Sequence, residues 1–134
     1  MKTTRMMAIC LVVCMLLTLP ILASSARASE QLTSYGVNPT RPSDDTIYVT
    51  VQVSGKLGVT KTGCEIIRIF EKVGSFWVMR EELREDDANM VANSRVYLYT
   101  HTFDANANSE YRVDVTIFAE NADGRDTRYL SYEI

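Results

Sequence analysis

The stretch YRVDVTIFAENADG, residues 111–124, decides the fold class of this chain. Its apolar side chains recur at every second position from Tyr111 to Ala119, a period that is typical of a strand with one buried face. The Asp123-Gly124 pair then supplies a tight turn, in which glycine takes a positive φ without steric cost. The stretch therefore predicts one strand and the turn of an antiparallel hairpin, which residues 126–134 complete.

Four segments upstream also have strand patterns and are separated by turn residues, and residues 64–71 carry isoleucines on both faces, as a central strand would. The four segments are residues 46–54, 64–71, 76–81 and 94–103. Gly74 lies in the short turn that joins the second of these segments to the third as a hairpin. The last segment carries apolar residues on both faces, so we expect a β-bulge there. The pattern predicts an all-β, antiparallel β-sandwich of about six to seven strands, with no long amphipathic helix.

Residues 29–45 lack this alternation and contain Gly36, Pro39 and Pro42. Such a composition favours loops over regular strands. The sequence therefore predicts a flexible N-terminal arm or linker over residues 29–45 and a β-sandwich domain over residues 46–134.

The first 28 residues have the layout of a cleavable signal peptide. Lys2 and Arg5 precede an apolar run over residues 6–23, and Ala26 and Ala28 fit an A-x-A cleavage site. We expect a signal-peptide helix that is cleaved after Ala28, and hence a secreted, extracellular protein with no stable membrane insertion. The alternative is that the apolar run is retained as an anchor, because about 17–25 such residues span a bilayer.

Cleavage at this position would make the chain more acidic. The loss of Lys2, Arg5 and Arg27 takes the 14 basic residues to 11 against 17 acidic residues, a net charge of −6. A protein with this charge balance has no electrostatic attraction to a phosphate backbone. The charge therefore argues against a nucleic-acid partner and against an anionic lipid surface.

The leader also contains two of the three cysteines, Cys10 and Cys14, so one thiol remains after cleavage. Cys64 then has no partner for an internal disulfide. Its neighbours Ile66 and Ile67 favour a small buried side chain, and an intermolecular disulfide is the alternative.

Tyr111-x-Val113-x-Val115, followed by Ala119-x-Asn121-x-x-Gly124, resembles the penultimate strand and final turn of fibronectin type III and related immunoglobulin-like domains. The resemblance implies that the Tyr111 hydroxyl caps the preceding loop. The layout is also similar to small, uncharacterised secreted proteins of Gram-positive bacteria, on the basis of residues 74–77 and 111–113. The chain departs from the type III pattern because it lacks a proline in the loop before the tyrosine, where residues 106–108 read Asn-Ala-Asn.

Two loop motifs come close to known ligand sites and fail at essential positions. Residues 55–62 approach the phosphate-binding GxxxxGK[ST] spacing, but Thr60 stands where a glycine is essential. Residues 121–124 offer a fragment of a calcium loop, but Ala119 and Leu130 occupy ligand positions. Both segments are therefore expected to be strand connections.

The remaining catalytic hypothesis is a small hydrolase built on Cys64, His101 and an acid. His101 is the only histidine, which excludes a two-histidine zinc site. It lies mid-strand among aromatic residues, and nothing near Cys64 suggests the strained turn of a nucleophile. The acidic residues in the segment 81–87 are interleaved with Arg80 and Arg84, a pattern that is typical of a solvated surface. We expect no catalytic residue, no metal and no cofactor.

The aromatic residues are the feature that suggests a function. Such rings bury a large area on binding at a low cost in conformational entropy, and they are enriched at the energetic centres of interfaces. We expect a non-catalytic module that contacts a protein or a glycan outside the cell, and the alternative is an accessory exoprotein that self-associates through an edge strand. The candidate binding residues are Trp77, Tyr97, Tyr99 and Phe118.

Overall fold

The computed structural model describes residues 30–134, all of which lie in strands, turns and loops. Eight antiparallel strands form two sheets in a sandwich-like arrangement, so the predicted all-β antiparallel fold class is confirmed. The predicted leader and its cleavage site, Ala26 and Ala28, lie outside the described residues. The strands are β1 (Leu32–Ser43), β2 (Thr46–Gly55), β3 (Lys61–Val73), β4 (Phe76–Arg84), β5 (Val91–Ala92), β6 (Val96–Asp104), β7 (Tyr111–Asn121) and β8 (Gly124–Glu133).

The smaller sheet has the order β1-β2-β6, and the larger sheet has the order β4-β3-β7-β8 with the short β5 paired to β3. The core lies between the sheets. It is formed by the inward residues of β2, β3 and β7, of which Val51, Ile69 and Val115 are fully buried. This is the outcome that the alternation in residues 46–54 and 111–121 predicts.

The prediction of a flexible arm over residues 29–45 is wrong. Residues Leu32–Ser43 form β1, which pairs with β2 from Leu32 opposite Gly55 to Ser43 opposite Thr46. Pro39 and Pro42 are compatible with this position because an edge strand needs fewer backbone donors than a central strand. The alternation is missing because β1 buries little more than Leu32 and Val37.

The expected bulge in residues 94–103 is also wrong, since β6 pairs with β2 without a register shift from Val96 to Asp104. Its tyrosines and Phe103 face the core, and Val96 and Leu98 are exposed. The register shifts lie instead in the β3 pairings, between Cys64 and Ile66 and between Ile69 and Phe70.

The two predicted glycine turns are present. Gly74 has a φ of 62° in the β3–β4 turn, and Gly124 has a φ of 152° at the start of β8. The Asn121 Oδ1 atom accepts hydrogen bonds from the backbone N–H groups of Asp123 and Gly124, at 2.9 and 3.2 Å. Each turn therefore contains a glycine with a positive φ, and the Asn121 side chain also stabilises the second turn.

Candidate functional site

The four aromatic residues that the sequence nominates do not form one exposed surface. Tyr97 and Phe118 are buried, and Trp77 and Tyr99 are half-buried. Tyr97 points into the core, where its hydroxyl donates a hydrogen bond to the Asn89 carbonyl at 2.9 Å. The prediction of a common aromatic binding surface is therefore wrong for Tyr97 and Phe118.

Phe118 lies on the outer face of β7 and is nevertheless 0% exposed. The Arg125 guanidinium covers its ring at 3.9 Å from the centroid, and the Lys61 ammonium lies 5.6 Å from it. The charged cluster that encloses this ring comprises Lys61, Glu65, Glu85, Glu120 and Arg125. The alternation places Phe118 on the outer face, but it gives no sign that a cation from β8 lies on top.

Hydrogen bonds connect the charged side chains of this cluster. Arg125 contacts Glu85 at 2.8 Å, Glu120 at 2.6 Å and Glu65 at 3.1 Å. Hydrogen bonds from Arg125, and then from Lys61, lower the pKa of Glu85 to about 2, and the same carboxylate raises the pKa of Arg125. Glu85 and Arg125 therefore remain ionised at neutral pH, and the cluster seals Phe118 from solvent.

Tyr99 lies where the edges of the two sheets approach each other. Its ring packs 6.3 Å from those of Tyr97 and His101. The His101 Nε2 atom lies 2.8 Å from the Glu81 Oε2 atom, so this pair links β6 in one sheet to β4 in the other. Tyr99 and His101 are thus part of the seam that closes the sandwich on this side.

Trp77 lies on the outer face of β4, and its ring is close to one cation from β3 and one cation from β7. Its ring centroid is 5.3 Å from the Arg112 guanidinium and 5.8 Å from the Lys72 ammonium. Arg112 also lies 4.4 Å from the Phe70 centroid. Trp77 is therefore held in place by cation–π contacts, which are worth about 0.5–1 kcal/mol each at exposed sites.

Exposed apolar side chains lie on a sheet edge in the N-terminal half of β4, residues 76–79, which we call the apolar half of β4. Phe76 is 76% exposed and Met79 is 51% exposed, and Val78 is also exposed. β4 is the end strand of its sheet and pairs with β3 alone among the described strands. This surface was not expected from the sequence because alternation predicts one buried face, whereas residues 76, 78 and 79 are exposed on both faces of β4.

The C-terminal half of β4 is protected in a different way. Arg80 donates to Glu71 at 2.7 Å, Glu81 contacts His101, and Glu82 accepts from Arg68 at 2.7 Å. Arg80 is also the extra residue at the register shift between β3 and β4. Charged side chains and bulges are two devices by which proteins prevent unwanted pairing at a sheet edge. Residues 80–84 carry both, and the apolar half carries neither.

At the end of the sandwich next to this edge, hydrogen bonds connect β3 to the loop before β7. The Glu71 carboxylate is buried and accepts from Ser109 at 2.6 Å and from the Asn106 amide at 3.1 Å. These two hydrogen bonds are the main reason that the pKa of Glu71 is lowered to about 2. The Tyr111 hydroxyl accepts from the Asn106 backbone N–H at 2.6 Å, so it caps the loop in the way that the resemblance implies. These contacts hold β3, the partner of the apolar half of β4, to the loop before β7.

Cys64 has no features of a nucleophile. Its thiol is free and fully buried, and burial raises its pKa to about 12. At neutral pH the thiol is therefore protonated, whereas the hydrolase hypothesis needs a thiolate. Its partner in that hypothesis, His101, hydrogen-bonds Glu81 in the seam.

Over residues 30–134, no group of three or more histidine, cysteine or acidic side chains has the arrangement of a metal site. The same part of the chain has no helix long and apolar enough to span a membrane. No protein-family model, curated protein or solved structure matches the chain.

Proposed function

We propose that this chain is a secreted, non-catalytic β-sandwich module that contacts a partner protein through the apolar half of β4. The observation that carries the proposal is the difference between the two halves of one edge strand. Residues 80–84 are blocked by a bulge and by paired charges, whereas residues 76–79 present exposed apolar side chains and no charge.

Such an edge suits β-strand addition. An extended segment of the partner hydrogen-bonds to the free backbone groups of the edge, and alternate side chains of the edge give specificity. The exposed side chains of Phe76 and Val78 lie on one side of β4, and the half-buried Trp77 and the exposed Met79 lie on the other. A partner strand would therefore find apolar contacts on both of its faces.

An immunoglobulin-like, fibronectin type III-like architecture is part of this proposal. Two features support it: the division of the strands into β1-β2-β6 and β4-β3-β7-β8, and the Tyr111 hydroxyl that binds the backbone of the preceding loop. In immunoglobulin-like domains the third strand lies in the same sheet as the last two and pairs with the penultimate strand, and a tyrosine near the start of that strand makes this contact.

The same edge also favours a second candidate function, assembly of the chain with itself. Two identical edges can pair antiparallel about a twofold axis, which makes the interface self-complementary. This candidate differs from the first in its partner and uses the same four residues.

One pair of variants tests the surface. Val78→Lys places a charge in the apolar half of β4, and Leu98→Lys is the matched control because Leu98 is 71% exposed on β6, an edge strand of the other sheet. The purified protein is tested for self-association by sedimentation velocity, and for retention of partner proteins from a cell-envelope fraction.

We expect Val78→Lys to lose the interaction and Leu98→Lys to keep it, with both variants melting near the wild-type temperature. Concentration-dependent dimers of the wild type would identify the second candidate. If the two variants behave alike, or if the wild type retains no protein and does not associate, the proposed surface is wrong.

Secretion is tested separately. We expect the protein recovered from the medium of an expressing host to begin at Ser29. A product that stays in the membrane fraction with an intact N-terminus would show that residues 6–23 are retained as an anchor.

A further inference from the structure

Over four successive rows of paired residues, the outer face of the three-stranded sheet has no charged residue, although 23% of the chain is charged. Asp104 follows in the next row, at the end of β6. Four outward residues from each strand form this surface, which we call the neutral face. They are Ser34, Gly36, Asn38 and Thr40 on β1, Tyr48, Thr50, Gln52 and Ser54 on β2, and Val96, Leu98, Thr100 and Thr102 on β6. At the average composition of the chain, about three of these would carry a charge.

The polar groups of the neutral face are hydroxyls and amides. Near one end, Tyr48 is 40% exposed and lies between Thr40 and Thr102 on the neighbouring strands. In the next row, the Thr50 and Thr100 hydroxyls are 3.0 Å apart and hydrogen-bonded. An aromatic ring is thus flanked by hydroxyl groups that can both donate and accept hydrogen bonds.

Gly36 is the residue that points to a ligand. It lies in the interior of β1, opposite Gln52, and its backbone is outside the left-handed region that requires glycine. A Cβ atom added there would meet no atom within 4 Å, so packing does not require glycine either. Glycine weakens a strand interior, and it often occurs where a ligand or another backbone approaches closely. The fold does not explain this glycine, whereas a close ligand does.

The dimensions of the neutral face favour an elongated ligand over a folded partner. Three strands about 4.8 Å apart and four outward residues per strand span roughly 10 by 20 Å between their Cα atoms. A stable protein interface involves about 20–30 residues on each partner, more than the twelve of this face. A single extended chain of sugar rings has a suitable width and length.

The electrostatics select an uncharged ligand. The neutral face offers no cation to an acidic polymer, and the net charge of the chain, −3 before any processing, repels one. We propose that the neutral face binds an uncharged polysaccharide that lies along β2. One sugar ring packs on Tyr48, and another enters the space that Gly36 leaves beside Gln52. This site is separate from the apolar half of β4 and does not depend on it.

Affinity gel electrophoresis of the purified protein tests the proposal. The gels contain dextran, hydroxyethyl cellulose or mannan as uncharged polymers, and alginate as an acidic one. The variants are Gly36→Val, which fills the space on β1, and Tyr48→Ala, which removes the ring. Tyr129→Ala is the matched control because Tyr129 is exposed on the outer face of the larger sheet.

We expect at least one uncharged polymer to retard the wild type and Tyr129→Ala equally, and alginate to retard neither. Gly36→Val and Tyr48→Ala each lose about tenfold in affinity, the scale of one lost ring contact. Gly36→Val nevertheless melts at or above the wild-type temperature, which separates binding from folding. The proposal is overturned if no uncharged polymer retards the wild type, if alginate does so equally, or if Gly36→Val or Tyr48→Ala binds like wild type.

Discussion

The two outer faces of the sandwich differ in how they meet solvent. The neutral face has hydroxyls, amides and a few apolar side chains, and its cross-strand neighbours are pairs such as Thr50 and Thr100. On the larger sheet, the outer face is crossed by ion pairs, from Arg68 and Glu82 to Arg125 and its three carboxylates. Here the charges also cover an aromatic ring, Phe118, whereas Tyr48, the one aromatic ring of the neutral face, remains 40% exposed.

This difference shows that charge and accessibility need not go together on a sheet surface. Long cationic side chains can lay their stems and guanidinium groups over apolar surface and keep their charge solvated or paired. A face that has many charges can therefore be closed to ligands, and a face that has none can be open. Substitutions on the two faces should therefore differ in the size and the sign of their effect on the free energy of unfolding.

The largest expected effect is on the charged face. Arg125→Ala removes the common partner of Glu65, Glu85 and Glu120 and uncovers Phe118. We expect it to lower the free energy of unfolding by about 3 kcal/mol, because like charges are left together without compensation. Urea denaturation at neutral pH measures this, with Arg128→Ala on the same strand as the control. Equal effects of the two variants would contradict the special position of Arg125.

The second prediction concerns acid. The pKa of Glu85 is lowered to about 2 in the folded protein, so its contribution to stability is present above the unfolded-state pKa, near 4.5, and is lost as the pH falls towards 2. We expect Glu85→Gln to be less stable than wild type by about 2 kcal/mol at pH 7, allowing for partial solvent screening, and equally stable near pH 2.

Unfolding curves at several pH values provide the measurement for Glu85, and Asp86→Asn in the same loop is the control because Asp86 is exposed. Glu71, whose pKa is also lowered to about 2, leaves some acid sensitivity in the Glu85→Gln variant. If the difference in the free energy of unfolding between wild type and Glu85→Gln is the same at pH 2 as at pH 7, the lowered pKa of Glu85 does not explain it.

On the neutral face a stabilising change is expected. Gly36→Ala adds a side chain in open space and reduces the conformational freedom of the unfolded chain, so we expect a gain of about 0.5–1 kcal/mol. Thermal and urea unfolding both report it. A loss of stability would mean that β1 needs glycine for its backbone geometry.

The smallest expected effect is that of Thr100→Val. It removes the hydrogen bond to Thr50, but both groups can bond water and valine favours a strand, so the change should stay within about 0.5 kcal/mol. A loss above about 1 kcal/mol in urea would show that hydrogen bonds order the neutral face more strongly than solvent does.

The sequence predicted the central strands well because their environment is uniform. Val49, Val51 and Val53 on β2 and Val113 and Val115 on β7 are fully buried, as their alternation requires. β1 was missed because an edge strand that buries few side chains leaves no period in its sequence. The pairing partner, and not its own residues, makes that segment a strand.

The candidate sites were less predictable than the fold. Trp77 was predicted to contribute to a binding surface and is half-buried, and its neighbours Phe76 and Met79 are more exposed. Phe118 was expected to contribute to binding, yet a residue from the next strand covers it. Exposure depends on what lies above a side chain, and that is decided by contacts between residues distant in sequence.

The sequence by itself determined that the chain after residue 46 forms pleated strands, and which side chains of the central strands face the core. The pleat sends successive side chains to opposite faces, so a period of two is sufficient for both conclusions. Only the tertiary structure decided that β1 joins the sheet, that half of β4 is left open, and that one outer face is covered by charge while the other is neutral. These features depend on which strands are neighbours, and strand pairing is set by the packing of the whole domain.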